Sequence, residues 1–256
     1  MEQRSTFNQV ADLYDAARPG YPQALIDDLL TATRLISGDA ILEVGCGTGQ
    51  ATRAFACRGF RIVALDPGAE LLNVARQRFA GNADISFVNT TFEAWPAQVQ
   101  AFRLVIAAQS WHWIPPAVSF PKAAEALMPG GWLAVFGHVP VGLDAVLLAA
   151  FEPIYKRHFG VWGPPPEVWY LPTGPLTRWF EESGRFTPVE HRQYAWAWPH
   201  AAASFLAFSR TRSDHRLLSE AQRETLFAEL AKAIEAHGGS FEMRYETHLY
   251  MAAKQN

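Results

Sequence analysis

The chain has 256 residues, of which 49 % are hydrophobic and 18 % are charged, and its formal net charge is -3. This length can bury a sizeable core, and the charge gives no pull toward nucleic acid or an anionic membrane surface. No apolar run approaches the roughly 20 residues of a membrane span, and the first residues show no signal-peptide pattern. The two cysteines, Cys46 and Cys57, lie beyond disulfide reach if a helix separates them, which favours a reducing, cytoplasmic compartment.

Strand and helix patterns alternate through the first half of the chain. Apolar residues at helical spacing predict helices over 7–21, 23–36, 49–58, 69–79 and 117–127. Short apolar runs predict strands over 40–44, 60–65, 85–89, 102–108 and 132–137, with a turn at 128–131. Five strands separated by helices indicate a parallel, doubly wound sheet.

The second half predicts two more strands among several helices. The helices are expected over 143–159, 176–183, 201–209 and 219–237, and the strands over 186–198 and 241–252. A loop rich in proline and glycine occupies 160–175. The expected fold class is therefore α/β: a doubly wound, Rossmann-like, mostly parallel seven-stranded sheet with helical insertions that form a cap.

A glycine-rich turn follows the first strand. The buried run 41–44 leads into Gly45, Gly47 and Gly49, and the second strand ends on Asp66. Glycine allows a tight turn and lets a ligand approach the backbone, so this pattern indicates a nucleoside-like ligand. Gln50 stands where a dinucleotide fingerprint has glycine or alanine, and no phosphate-loop lysine follows.

These motifs resemble those of class I S-adenosylmethionine-dependent methyltransferases. The resemblance rests on the glycine run 42–49, on Asp66, on Phe92-Glu93 and on the segment 127–131. Within that family the chain is most similar to a small-molecule group that includes trans-aconitate-type carboxyl methyltransferases. That group shares the segments that read here Tyr14-Asp15-Ala16-Ala17-Arg18-Pro19-Gly20-Tyr21-Pro22 and Trp111-His112-Trp113. The resemblance implies S-adenosyl-L-methionine as the cofactor.

The resemblance also implies roles for individual residues and segments. One domain over 1–256 would comprise lid helices over 1–37, a cofactor core over 38–137, and cap helices with the last two strands over 138–256. Asp66 would accept hydrogen bonds from the ribose hydroxyls, while Thr91 departs from the acid that many relatives carry there. The remaining expected cofactor-binding residues are Glu43, Gly45, Cys46, Gly47, Gly49 and Gln109 for the methionine part, Pro67, Thr91 and Phe92 for the adenine, and Tyr14 and Arg18 from the lid.

His112 is the candidate catalytic residue. A hydroxyl nucleophile must lose a proton, and histidine is the usual base near neutral pH, whereas a carboxylate nucleophile needs no base. His112 is therefore a base, a hydrogen-bonding positioner of the reactants, or a structural residue. Trp111 and Trp113 are either pocket walls or core residues.

The acceptor is expected to be a small molecule that carries a carboxylate or an aromatic ring. Arginine binds carboxylates through paired hydrogen bonds, and the segment 209–213 holds two arginines. Aromatic residues of the cap, expected as pocket walls, are Trp162, Trp169, Tyr170, Trp179, Trp196 and Trp198. No histidine or cysteine spacing indicates a metal site, and neither nucleic acid nor membrane is an expected partner.

The sequence thus predicts methyl transfer from S-adenosylmethionine to a small molecule, at an oxygen of an organic acid or hydroxyl compound. Two alternatives stay open. One is a nicotinamide-dependent oxidoreductase, although Gln50 and the position of Tyr250-x-x-x-Lys254 in a strand argue against it. The other is a protein that binds S-adenosylmethionine without turning it over.

Overall fold

Seven strands form one sheet in the computed structural model, which describes residues 3–161 and 166–255. Trp162 and part of the proline-rich loop lie outside the described residues. The strands are β1 (Ala40–Val44), β2 (Arg61–Asp66), β3 (Ile85–Asn89), β4 (Phe102–Ala108), β5 (Leu127–Gly142), β6 (Glu190–Ala201) and β7 (Ser240–Ala253). Their order across the sheet is β3-β2-β1-β4-β5-β7-β6.

The first five strands are parallel, and β7 runs antiparallel between β5 and β6. This arrangement confirms the predicted fold class. The order in which the chain adds strands to the sheet reverses between β1 and β4. A crevice therefore opens beyond the carboxyl ends of these two strands, where α/β sheets bind ligands. Both strands are almost wholly buried, as expected of parallel strands covered on two faces.

The predicted turn at 128–131 is wrong, because these residues belong to β5. Leu127 pairs with Phe102 and Trp132 pairs with Leu104, so the β5 side of the ladder carries extra residues. Gly130 takes a φ of +67° within this irregular stretch. A proline and two glycines therefore mark a bulge rather than the end of a strand.

Ten α-helices flank the sheet within the described residues. They are α1 (Ala11–Ala17), α2 (Gln23–Thr33), α3 (Thr52–Phe55), α4 (Ala69–Arg78), α5 (Pro116–Ala126), α6 (Ala145–Phe159), α7 (Leu176–Ser183), α8 (Ala202–Arg210), α9 (Ser213–Arg216) and α10 (Glu220–Ala236). The helix predicted over 49–58 is only the short α3, since Gly49 and Cys57 both adopt left-handed backbone conformations. The first predicted helix divides into a 3₁₀ helix, Gln3–Val10, and α1.

The buried apolar side chains of the described residues form three groups. Neighbouring residues of β1 point to opposite faces, so Leu42 joins the group under α5 and α7 while Ile41 joins the group under α2 and α3. The third group joins α6, α8 and α10, and its centre includes Phe151 and Leu230. This third group makes the cap a packed unit beside the crevice.

Candidate active site

The glycine turn bends sharply out of β1. Gly45, Gly47 and Gly49 have φ values of +72°, +56° and +87°, which L side chains rarely adopt. The backbone N–H groups of Gly45 and Cys46 both donate to the Leu65 carbonyl, at 2.8 and 2.9 Å. A Cβ at Gly45 would overlap the Ser110 side chain, whose hydroxyl donates to the Val44 carbonyl. Only glycine fits this position.

Asp66 ties the glycine turn to the end of β2. One carboxylate oxygen accepts the Gly47 N–H at 2.8 Å and the other accepts the Gly68 N–H at 2.7 Å. The side chain is nearly buried, and burial raises the pKa of Asp66 to about 6. Each oxygen keeps a second lone pair for a ligand donor.

Two cavities meet at this turn. The larger has a volume of about 640 Å³ and the smaller about 100 Å³. Residues that line both are Tyr14, Gly45, Gly47, Ala108 and Gln109. The predicted residues Arg18, Glu43 and Cys46 line the larger cavity only. The predicted residues Asp66, Pro67, Thr91 and Phe92 line the smaller one only. The structure therefore brings together every predicted cofactor-binding residue except Gly49, whose turn packs against Phe79.

Glu43 presents a buried carboxylate to the larger cavity. The residue is 1 % exposed, and Thr52 donates its hydroxyl to Oε2 at 2.6 Å. Burial raises the pKa of Glu43 to about 8. A carboxyl group in this setting is satisfied best by a cationic hydrogen-bond donor, and the ammonium group of a methionine moiety is such a donor. The residues present therefore fit the expected cofactor.

Tyr14 and Arg18 from the N-terminal segment cover the larger cavity. The Arg18 guanidinium lies 4.9 Å from the ring centres of both Tyr14 and Phe208. Its Nε and Nη2 donate to the hydroxyl and the carbonyl of Thr211, at 2.9 and 3.0 Å. The segment that the sequence predicts as a lid is thus bonded to the end of the cap helix α8.

The Trp111-His112-Trp113 segment forms a 3₁₀ helix after β4. Among the described residues His112 borders neither cavity, and its Nδ1 lies 3.1 Å from the Tyr170 hydroxyl. Burial lowers the pKa of His112 to about 4, so the ring is neutral at pH 7. Trp111 is buried against Phe92 and Phe120, and Trp113 lines the smaller cavity. Trp111 is therefore a core residue, and Trp113 forms part of the wall of the smaller cavity.

His138 is a cavity residue that sequence reasoning missed. It lies on the extension of β5 beyond the predicted end at residue 137, and it lines the larger cavity. Trp196 Nε1 donates to the Thr247 hydroxyl at 2.9 Å, and this hydroxyl lies 2.7 Å from His138 Nδ1. His138 Nε2 donates to the Gly20 carbonyl at 3.1 Å. Burial lowers the pKa of His138 to about 3, so this neutral ring connects the sheet to the N-terminal segment.

The two arginines of the 209–213 segment have different surroundings. Arg210 forms an exposed, paired contact with Glu224, at 2.6 and 3.1 Å. Arg212 lines the larger cavity and donates to both oxygens of Asp214, at 3.1 and 2.9 Å. Although burial alone would raise it, the pKa of Asp214 is lowered to about 2 by Arg212. Of the two arginines, only Arg212 lines the larger cavity.

Within the described part of the chain, no group of three or more histidine, cysteine or acidic side chains could hold a metal ion. The helices of that part include none that is long and apolar enough to cross a membrane. Tyr250 and Lys254 line neither cavity. The Tyr250 hydroxyl donates to the Tyr170 carbonyl and Lys254 Nζ to the Leu127 carbonyl. The Tyr250 hydroxyl and the Lys254 ammonium, on which the nicotinamide alternative depends, thus form hydrogen bonds away from the two cavities.

Part of the chain is similar to known methyltransferases. Residues 41–131 match the family model of a methyltransferase domain. An uncharacterized methyltransferase of Mycobacterium tuberculosis is 35 % identical over 130 residues, which is 51 % of each chain. A trans-aconitate 2-methyltransferase of Paracidovorax citrulli is 33 % identical over 112 residues, 42 % of each chain. The chain spans about half the length of the curated relatives it matches.

A solved structure shows the same fold over the whole chain. Phosphoethanolamine N-methyltransferase 2 of Haemonchus contortus, in complex with phosphomonomethylethanolamine and S-adenosylhomocysteine, superposes with a TM-score of 0.60 at 14 % identity. The match covers all of this chain and 61 % of that one. Fold, glycine turn and family match together define a class I methyltransferase domain. Residues 41–131 are a methyltransferase domain, and S-adenosyl-L-methionine is the cofactor of this domain.

Proposed function

We propose that the protein transfers the methyl group of S-adenosylmethionine to an oxygen of a small-molecule acceptor held in the larger cavity. One observation carries this proposal: the two cavities share Gly45, Gly47 and Gln109. S-adenosylmethionine with its nucleoside in the smaller cavity would therefore place its methionine part in the larger cavity. The larger cavity, at about 640 Å³, leaves room for an acceptor of drug-like size beside it.

The residues of each cavity suit one part of the cofactor. The Asp66 carboxylate would accept hydrogen bonds from the ribose hydroxyls, and Thr91 and Phe92 would border the adenine. The buried Glu43 carboxylate would accept hydrogen bonds from the ammonium group of the methionine part. When bound, the cofactor supplies an electrophilic methyl group on a sulfonium centre.

The protein's own contribution is alignment and exclusion of water. Methyl transfer is an in-line displacement, so the protein speeds it by holding the acceptor oxygen ~3 Å from the methyl group. Tyr14 and Arg18 close one side of the cavity and keep water from competing. A carboxylate oxygen needs no base, and a hydroxyl acceptor would lose its proton to a group within hydrogen-bond reach.

We assign His112 the role of a positioning residue. Its partner Tyr170 packs beside Gln109, since a Cβ at Gly137 would overlap both side chains. Gln109 lines both cavities and donates to the His138 carbonyl at 3.2 Å. Loss of the His112 side chain should therefore slow turnover without removing a titrating limb near pH 6–7. The free thiols of Cys46 and Cys57 suit the cytoplasmic location that we also propose.

The test is calorimetric titration with S-adenosylhomocysteine, followed by detection of its release from S-adenosylmethionine with a panel of organic acids and phenols. We expect low-micromolar to submillimolar binding, by analogy with ordinary cofactor sites. Asp66→Ala and Gly47→Val should abolish it, while Asp84→Ala, which removes an exposed carboxylate, should not. Absence of binding to the folded wild-type protein would overturn the proposal. Binding without turnover of any acceptor would favour the non-catalytic alternative.

A further inference from the structure

Besides Glu43, Arg18 and Arg244, the larger cavity is lined by a cluster of charged residues around Arg212. Arg212 donates from Nε and Nη2 to Asp214, and its Nη1 lies 3.4 Å from Glu167 Oε1. All three residues line the cavity, and the Arg212 side chain is only 15 % exposed. One cation thus faces two carboxylates. One guanidinium and two carboxylates give the group a net negative charge. The N–H donors of Arg212 are directed at Glu167 and Asp214 of the protein itself.

Two buried polar atoms of this group lack a partner among the described residues. They are Glu167 Oε2 and the Tyr245 hydroxyl, and both residues line the larger cavity. Tyr245 is 5 % exposed, and the charges of Arg212, Glu167 and Arg18 all act on its hydroxyl. Buried polar atoms are nearly always hydrogen-bonded, because an unpaired one costs free energy. A ligand that donates hydrogen bonds would satisfy both atoms.

Aromatic rings form the surrounding wall. Tyr155, Phe159, Trp198 and Phe208 line the same cavity as Tyr245. The faces of such rings attract cations, and this attraction grows when the cation is removed from water. The wall therefore suits a positively charged group with an apolar body. A carboxylate here would instead face Glu167 and Asp214.

We propose that the methyl acceptor carries a protonated amine, which donates hydrogen bonds to Glu167 Oε2 and to the Tyr245 hydroxyl oxygen. This inference rests on the proposed methyl transfer. A protonated amine has four bonds to nitrogen and no lone pair, so this nitrogen cannot attack the methyl group. The amine anchors the acceptor while another atom, the proposed oxygen, receives the methyl group. The proposed acceptor is thus an organic acid or hydroxyl compound, as expected from the sequence, that also carries an amine.

The test compares three probes on protein loaded with S-adenosylhomocysteine. The probes 2-phenylethylamine, 2-phenylethanol and 3-phenylpropionate share one ring and one chain and differ only in the terminal group. Trp198 in the cavity wall provides a fluorescence readout, with calorimetry as a second measurement. We expect the amine to bind about tenfold or more tightly than the alcohol, as charge-assisted hydrogen bonds allow, and the carboxylate to bind weakest.

Matched variants test whether Glu167 and Tyr245 bind the amine. Glu167→Gln should remove the advantage of the amine, and Tyr245→Phe should reduce amine affinity several-fold. Glu224→Gln, which removes the charge of an exposed carboxylate paired with Arg210, should change neither the advantage of the amine nor its affinity. Tighter binding of the carboxylate, an amine advantage that survives Glu167→Gln, or no amine binding at all would overturn this inference. Failure of the wild-type protein to bind S-adenosylhomocysteine would instead overturn the proposed methyl transfer.

Discussion

Arg18 and Thr211 are 193 positions apart and are joined by two hydrogen bonds, from Nε to the Thr211 hydroxyl and from Nη2 to its carbonyl. Arg18 belongs to the N-terminal segment, and Thr211 follows the cap helix α8. The guanidinium also lies between the rings of Tyr14 and Phe208. The planar Arg18 side chain therefore joins the N-terminal segment to the cap at the wall of the larger cavity.

Replacing this side chain should loosen the closed site. Lysine keeps the charge of Arg18 but cannot donate twice in the fixed geometry of a guanidinium, and hydrogen bonds of charged groups contribute ~1.5–3 kcal/mol. We expect Arg18→Lys to weaken S-adenosylhomocysteine binding about tenfold, mainly through faster dissociation, as measured by stopped-flow fluorescence. Arg178→Lys alters an exposed pair with Glu182 and is the control. Equal dissociation rates for the two variants would contradict this prediction.

The cofactor half of the site could be predicted from the sequence because its constraints are local. Gly45 follows a buried strand directly, and Asp66 ends the next one. In a parallel sheet these two carboxyl ends lie side by side, so spacing along the chain translates into distance in space. The hydrogen bond from Gly47 to Asp66 is the direct result.

The acceptor half depends on pairings between distant segments that no local pattern reveals. His138 contacts Gly20 and Thr247, and Arg212 contacts Glu167, all through folding of the cap and the lid. Sequence reasoning singled out the 209–213 segment, of which Arg212 lines the larger cavity. It had no means of finding that Arg212 faces two carboxylates, which is the observation behind the proposed amine.

Gly45 offers a direct test of the packing at the glycine turn. Alanine there must adopt a φ near +72° and also overlap Ser110. Gly81 has a φ of +87° with no atom within 4 Å of its missing Cβ, so Gly81→Ala carries the backbone strain alone, ~1–2 kcal/mol. We expect Gly45→Ala to lower the free energy of unfolding by a further ~1–3 kcal/mol in urea titrations. Similar values for the two variants would show that the turn is loosely packed.

Thr247 is the centre of the hydrogen-bonded chain that runs from Trp196 to Gly20. Valine has the same shape but leaves Trp196 Nε1 and His138 Nδ1 without their partner. Each unpaired buried group costs ~1–3 kcal/mol, so Thr247→Val should destabilise the protein clearly in urea unfolding. Thr225→Val changes an exposed threonine on α10 and should shift stability by less than ~0.5 kcal/mol. Comparable losses in both variants would argue against this chain of bonds.

Glu43 should make the stability of the cofactor-free protein depend on pH. Its pKa rises from an ordinary value of 4.5 to about 8 in the folded state, because burial disfavours the charged form. Between these values the folded protein binds a proton that the unfolded chain lacks, so stability falls as pH rises toward 8. The pKa of Asp66 is raised only to about 6. From pH 6.5 to 8 the wild type should therefore lose up to ~1.4 kcal/mol per pH unit relative to Glu43→Gln, by urea unfolding at each pH.

The same carboxyl group should release a proton when the cofactor product binds. At pH 7 a group with a pKa of about 8 is mostly protonated, and a bound ammonium group favours its ionised form. Titrations with S-adenosylhomocysteine in buffers of different ionisation enthalpy should show release of close to one proton by the wild type. Glu43→Gln should release almost none and bind more weakly. Equal proton release by the two proteins would mean that the ammonium group does not lie against Glu43, and the orientation proposed for the cofactor would then be wrong.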